Sequence, residues 1–163
     1  MNVAASPTII VLRGRKVVGG YAEGEALVTR QTISGWGGVN AMHGTVIESR
    51  HELRGQSFAG KVLVFPGAKG SSGWSVVFHT TRLAGVAPLA LVFNEMTTKV
   101  ALGAVVMRVP AVTELDRDPL EVIATGDWVC VDGDRGTHLG HVAHLPADED
   151  LLAGLERVDD LDV

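Results

Sequence analysis

The chain of 163 residues contains a single cysteine, Cys130. One thiol excludes an intrachain disulfide framework, and it excludes an iron–sulfur or zinc site built from this chain's thiolates alone, because such sites need several. An intracellular, cytoplasmic location is the expectation that follows. Long hydrophobic runs are also missing. Those around Leu83–Phe93 and Val100–Met107 are interrupted by Pro88 or fall short of the roughly 18 residues of a membrane span. No basic start followed by an apolar run opens the chain, so a soluble protein without membrane contact is expected. Aromatic residues make up only 5%, which predicts a core built mainly of Val, Leu and Ala. Excess positive charge is absent too. The formal net charge is −5, and it is unevenly placed: residues 146–163 hold seven acids and one base, leaving the rest of the chain close to neutral. Nothing resembles a basic face for nucleic acid.

What is present is 46% hydrophobic residues and 20 glycines, a composition for one well-buried domain rich in tight turns. Residues 1–145 are expected to form that domain and 146–163 an acidic tail. Leu151, Leu152, Leu155, Val158 and Leu161 recur in the tail at helical spacing and could dock a short helix on a partner.

Thr8–Leu12, ended by Gly14, and Glu25–Thr29, after Gly19-Gly20, read as strands. Ser34–Gly44 has neither strand nor helix period and reads as a long structured loop. Lys61–Phe65 is an apolar run bounded by Gly60 and Pro66, which predicts a strand covered on both faces. In Trp74–Ala84, Trp74, Val77 and Phe78 fall on one helical face before Gly85 stops the helix. Leu89–Phe93 then completes a strand, Gly-rich turn, helix, strand unit, for which parallel pairing is expected. A loop over Asn94–Thr98, a short helix near Lys99–Gly103 and a strand around Ala111–Val112 follow. The last expected element is a hairpin turned at Asp132-Gly133.

Gly67-Ala-Lys-Gly-Ser-Ser-Gly73 carries the most chemistry. A strand delivers the chain to glycines that let the backbone approach a ligand, and the next helix points its unpaired N–H groups and positive dipole end there. An anion is the natural guest. Lys69 adds a positive charge, and Ser71 and Ser72 offer hydroxyls to cap the helix, bind the ligand or act as a base. A plain helix cap beside a solvated lysine is the competing reading. Lys69 precedes Gly70 and no Gly-x-Gly-x-x-Gly opens the helix, so neither nucleoside triphosphate nor dinucleotide binding is supported.

The stretch Gly60-Lys-Val-Leu-Val-Phe-Pro-Gly-Ala-Lys-Gly-Ser-Ser-Gly73, followed by Ala87-Pro-Leu-Ala-Leu-Val, resembles the small subunit, or swivelling domain, of the aconitase X family. Gly37-Gly38-Val39, Gly55-Gln-Ser-Phe-Ala-Gly60, Ala101-Leu-Gly-Ala-Val105 and Pro110 extend the resemblance over roughly Arg13–Val142. It implies an α/β fold, a swivelling β/β/α domain like that of aconitase, closing over a large catalytic subunit that carries an iron–sulfur cluster. It also implies a hydro-lyase in which Ser71 is the catalytic base and the cluster's iron takes the leaving hydroxyl. Lys69, Gly70, Ser72 and Asn40 become candidate substrate contacts. The family chemistry implies dehydration of cis-3-hydroxy-L-proline to 1-pyrroline-2-carboxylate, with mevalonate 5-phosphate as the alternative substrate. Aconitase proper continues Ser-Ser-Arg where this chain has Gly73, which argues against a tricarboxylate.

Other polar residues have plainer readings. Asn94 and Glu95 read as surface or subunit-contact residues. His138, His141 and His144 read as solvated, His79 as packed in its helix and His51 as lacking a partner, while Cys130 between two valines reads as a small buried hydrophobe. No metal site is assigned to this chain. Two other functions stay open: a non-catalytic anion-binding module using the same turn, and a phosphohistidine swivelling domain, disfavoured because Gly73 and Trp74 follow the serines.

Overall fold

In the computed structural model, residues 9–134 are described in full and residues 139–145 by their strand pairing. The chain runs β1 (Ile10–Val18), β2 (Tyr21–Val28), β3 (Ile33–Ser34), β4 (Val39–Asn40), β5 (Thr45–Val46), β6 (Val62–Phe65), β7 (Ala68–Lys69) and α1 (Trp74–Leu83). It continues through β8 (Ala90–Phe93), α2 (Thr98–Met107), β9 (Ala111–Thr113), α3 (Pro119–Val122), β10 (Trp128–Asp132) and β11 (Leu139–Leu145). Seven strands close into a barrel in the order β1-β11-β10-β2-β6-β8-β9, sealed by antiparallel pairing of β9 with β1. The expected parallel unit is present: β6 pairs parallel with β8, and β8 with β9.

Alternation along β6 and β8 splits the core in two. Val62, Val64, Ala90 and Val92 point into the barrel with Leu12, Ala26, Val112, Val129 and Val131. Leu63, Phe65, Leu91 and Phe93 point the other way, against Trp74, Phe78, Val100, Ala104 and Met107. Small and β-branched residues fill the narrow interior, as the composition suggests. The outer layer departs from that expectation, because the few aromatics are concentrated there: all four phenylalanines and Trp74 are fully buried. Trp74 stacks on Phe78 with ring centroids 3.9 Å apart, and Phe58 stacks on Phe78 at 5.5 Å. Such pairs add about 0.5–1.5 kcal/mol each beyond burial.

Several boundaries differ from the sequence reading. β1 does not end at Gly14 but runs through it; a Cβ there would lie 2.6 Å from the Thr113 carbonyl, so the glycine permits close approach to β9. Ser34–Gly44 is not all loop, since β3 pairs with β7 and β4 with β5. The second helix extends beyond Gly103 to Met107 and ends where Arg108 adopts a left-handed conformation (φ 55°), two residues before Pro110. The final hairpin does not turn at Asp132-Gly133, because the Gly133 N–H still bonds to the Gly20 carbonyl (2.8 Å) and β11 starts only at Leu139. His141 and His144 fall within β11. Residues 1–8, His138 and the acidic tail lie outside the described residues, so the expectations placed on the tail are not addressed. Among the described residues no helix is long and apolar enough to cross a membrane.

Candidate active site

Because β6 and β8 run parallel, the turn after β6 and the loop after β8 emerge at the same end of the sheet, where open α/β sheets collect ligands. The turn carries Lys69, Gly70, Ser71 and Ser72 into α1, and the loop leads through Thr97 into α2. Gly70 has φ +88°, a conformation that favours glycine. Gly70, Ser71 and Ser72 are exposed. Gly73 is the residue preceding α1, and no side chain caps the helix, so the serine hydroxyls remain available. The Ser71 carbonyl takes the Trp74 N–H (3.2 Å), and the positive dipole end of α1 lies at this turn.

Two lysines brace this turn. Lys69 Nζ donates to Glu48 Oε1 at 2.6 Å, and Glu48 Oε2 is buried without a hydrogen-bond partner among the described residues. Lys99 Nζ donates to the Gly70 carbonyl at 2.6 Å, next to the peptide that leads into Ser71. The Ser34–Gly44 stretch packs beside the turn. β3 pairs in parallel with β7, setting Ser34 opposite Lys69, and a Cβ at Gly35 would lie 2.9 Å from Trp74 Cα. The Trp74 indole N–H anchors the same loop through the Ile33 carbonyl at 3.0 Å. A Cβ at Gly73 would come within 2.3 Å of the Trp36 indole nitrogen. Trp36 thus packs over Gly73 at the start of α1.

Asn40 is tied into its own turn. Its Oδ1 accepts the N–H groups of Met42 (3.1 Å) and His43 (3.2 Å), and its Nδ2 lies 3.2 Å from His43 Nδ1. Asn94 donates to Asp118 (3.0 Å), which caps α3, in keeping with a surface role. His51 Nδ1 accepts the Leu53 N–H.

Glu48, Lys99 and Trp36 were not legible as site residues. Glu48 lies 21 positions from Lys69 and arrives only through the β3–β7 pairing. Lys99 carried a usable signal, since it opens the helix of the second parallel unit as Ser71 and Ser72 precede that of the first.

A family model for the aconitase X swivel domain matches residues 11–139. The chain belongs to the aconitase X family. It is 43% identical over 125 residues to the phosphomevalonate dehydratase small subunit of Methanocella arvoryzae, covering 77% of this chain and 95% of that protein. It is 44% identical over 125 residues to the protein of the same name from Thermococcus kodakarensis, covering 77% and 92%. The crystal structure of Thermococcus kodakaraensis aconitase X in its holo form superposes with a TM-score of 0.76 at 41% identity, over 83% of this chain and 98% of that one. The swivelling β/β/α fold expected from the aconitase X resemblance is therefore the fold of this chain.

Proposed function

We propose that the chain is the small subunit of a two-subunit aconitase-X-type hydro-lyase, and that it dehydrates a phosphorylated β-hydroxy acid of the phosphomevalonate type. The observation that carries this reading is Ser71: an exposed residue on a Gly-Ser-Ser turn, at an uncapped helix start, on a turn that contains Lys69 and is held by Lys99 at the Gly70 carbonyl. The relatives are named phosphomevalonate dehydratase small subunits, which favours that substrate over cis-3-hydroxy-L-proline.

Ser71 acts as the base. An ordinary serine hydroxyl is too weak for this, so its alkoxide needs stabilisation from the helix dipole and from exclusion of water when the partner closes over the turn. Ser71 takes the proton α to the substrate carboxylate, the electron pair forms the new carbon–carbon double bond, and the β-hydroxyl leaves as hydroxide, which the proton held on Ser71 completes to water, restoring the alkoxide. Lys69, Gly70 and Ser72 hold substrate against the turn, and Asn40 shapes the loop beside it. Trp36 and Met42, exposed on that loop, and Ile47, exposed after β5, offer an apolar surface to the large subunit.

The donor set of this chain does not fit an iron–sulfur cluster. Its one thiol is buried on β10, and no three described His, Cys, Asp or Glu residues are grouped to hold a metal. The cluster of the family belongs on the large subunit, and a cytoplasmic enzyme accords with that assignment. Co-expression of the chain with its large subunit, followed by assay of both candidate substrates, tests the reading. Dehydration of mevalonate 5-phosphate is expected. Turnover of cis-3-hydroxy-L-proline alone would overturn the substrate, and turnover of neither would overturn the hydro-lyase.

A further inference from the structure

The two lysines at the turn are not equivalent. Lys69 is matched by the Glu48 carboxylate at 2.6 Å, so its charge is largely compensated before any ligand arrives. No carboxylate among the described residues pairs with Lys99, whose only hydrogen bond is to the neutral Gly70 carbonyl. Lys99 also lines a pocket of about 340 Å³ with Ser72, Thr97, Thr98 and Leu102. Thr97 Oγ1 is buried and has no hydrogen-bond partner among the described residues. It does not cap α2 either. A buried hydroxyl left unpaired is destabilising, so it is a group open to an acceptor.

We infer that this pocket is the subsite for the phosphate end of the substrate. Lys99 supplies the charge, Ser72 and Thr98 line the entrance with hydroxyls, Thr97 donates from within, and Leu102 walls the apolar side. Ser71, one residue from Ser72, then faces the carbon skeleton rather than the phosphate. This rests on the hydro-lyase reading for the identity of the substrate, but the pocket's preference for a phosphate oxyanion rests on its own residues.

The test uses Lys99→Gln and Lys99→Arg in the complex with the large subunit. A charge-assisted contact predicts that Lys99→Gln raises KM for mevalonate 5-phosphate about tenfold or more while kcat stays within about threefold, and that Lys99→Arg recovers most of the loss. An unchanged KM, or a fall confined to kcat, would overturn the assignment. In parallel, inorganic phosphate is titrated against the full chain, wild type and Lys99→Gln, by phosphorus NMR. Binding weakened about tenfold by the substitution supports the subsite even if the complex does not dehydrate mevalonate 5-phosphate, whereas equal binding, or none, overturns it. The two failures are thereby separated.

Discussion

Cys130 illustrates how far a single residue can be read. Between Val129 and Val131 on β10 it is 5% exposed, as a small buried hydrophobe should be, and its Sγ sits 3.5 Å from Glu23 Oε2. Burial first, with the Glu23 carboxylate adding, pushes the thiol up to about 11. A thiol that holds its proton in the folded state but releases it near 9 when unfolded leaves stability intact below pH 9 and erodes it as pH rises toward 11. Reactivity follows the same shift. At pH 8 the native thiolate fraction is about a hundredfold below that of the unfolded chain, so iodoacetamide labelling should be slower by at least that factor and should recover in urea. Fast native labelling would contradict the burial. At this scale the serines and Lys69 were legible because they sit consecutively in one turn, whereas Glu48 was not, because no local pattern links it to Lys69.

The elements were legible where periodicity was strong. Trp74, Val77 and Phe78 mark one face of α1, and all three are buried. The run Val62–Phe65 predicted a strand covered twice, and both faces are covered, one by the barrel interior and one by the helices. Gly103 misled, because a glycine reads as a stop when its packing partner is unseen. A Cβ there would lie 2.3 Å from Trp74 Cζ3. Alanine at this site gains about 1 kcal/mol in helix propensity but overpacks the α1–α2 contact, which typically costs about 1–3 kcal/mol. Gly103→Ala should therefore lower stability by about 1 kcal/mol in urea unfolding, and a gain would show that the helices can part. By contrast, Phe78→Ala, which removes a ring stacked on both Trp74 and Phe58, should cost about 3–5 kcal/mol.

Closure of the barrel was the least legible feature. β1 pairs with β9 and β11, and β2 with β10, across about a hundred residues of sequence, and no local signal specifies such partners. The family resemblance supplied the architecture that periodicity could not. Closure matters to the proposed function because β3 and the turn after β6 are held at one end of the barrel, which fixes the turn carrying Ser71 beside Lys99 and Trp36. On the proposed reading, the whole molecule is a platform presenting Ser71 to the large subunit. The most direct measurement is turnover by the assembled complex carrying Ser71→Ala. A general base in its place predicts a fall in kcat of about a thousandfold, with the complex intact and KM near that of the wild type. Retention of wild-type turnover would remove Ser71 from the chemistry and contradict the account.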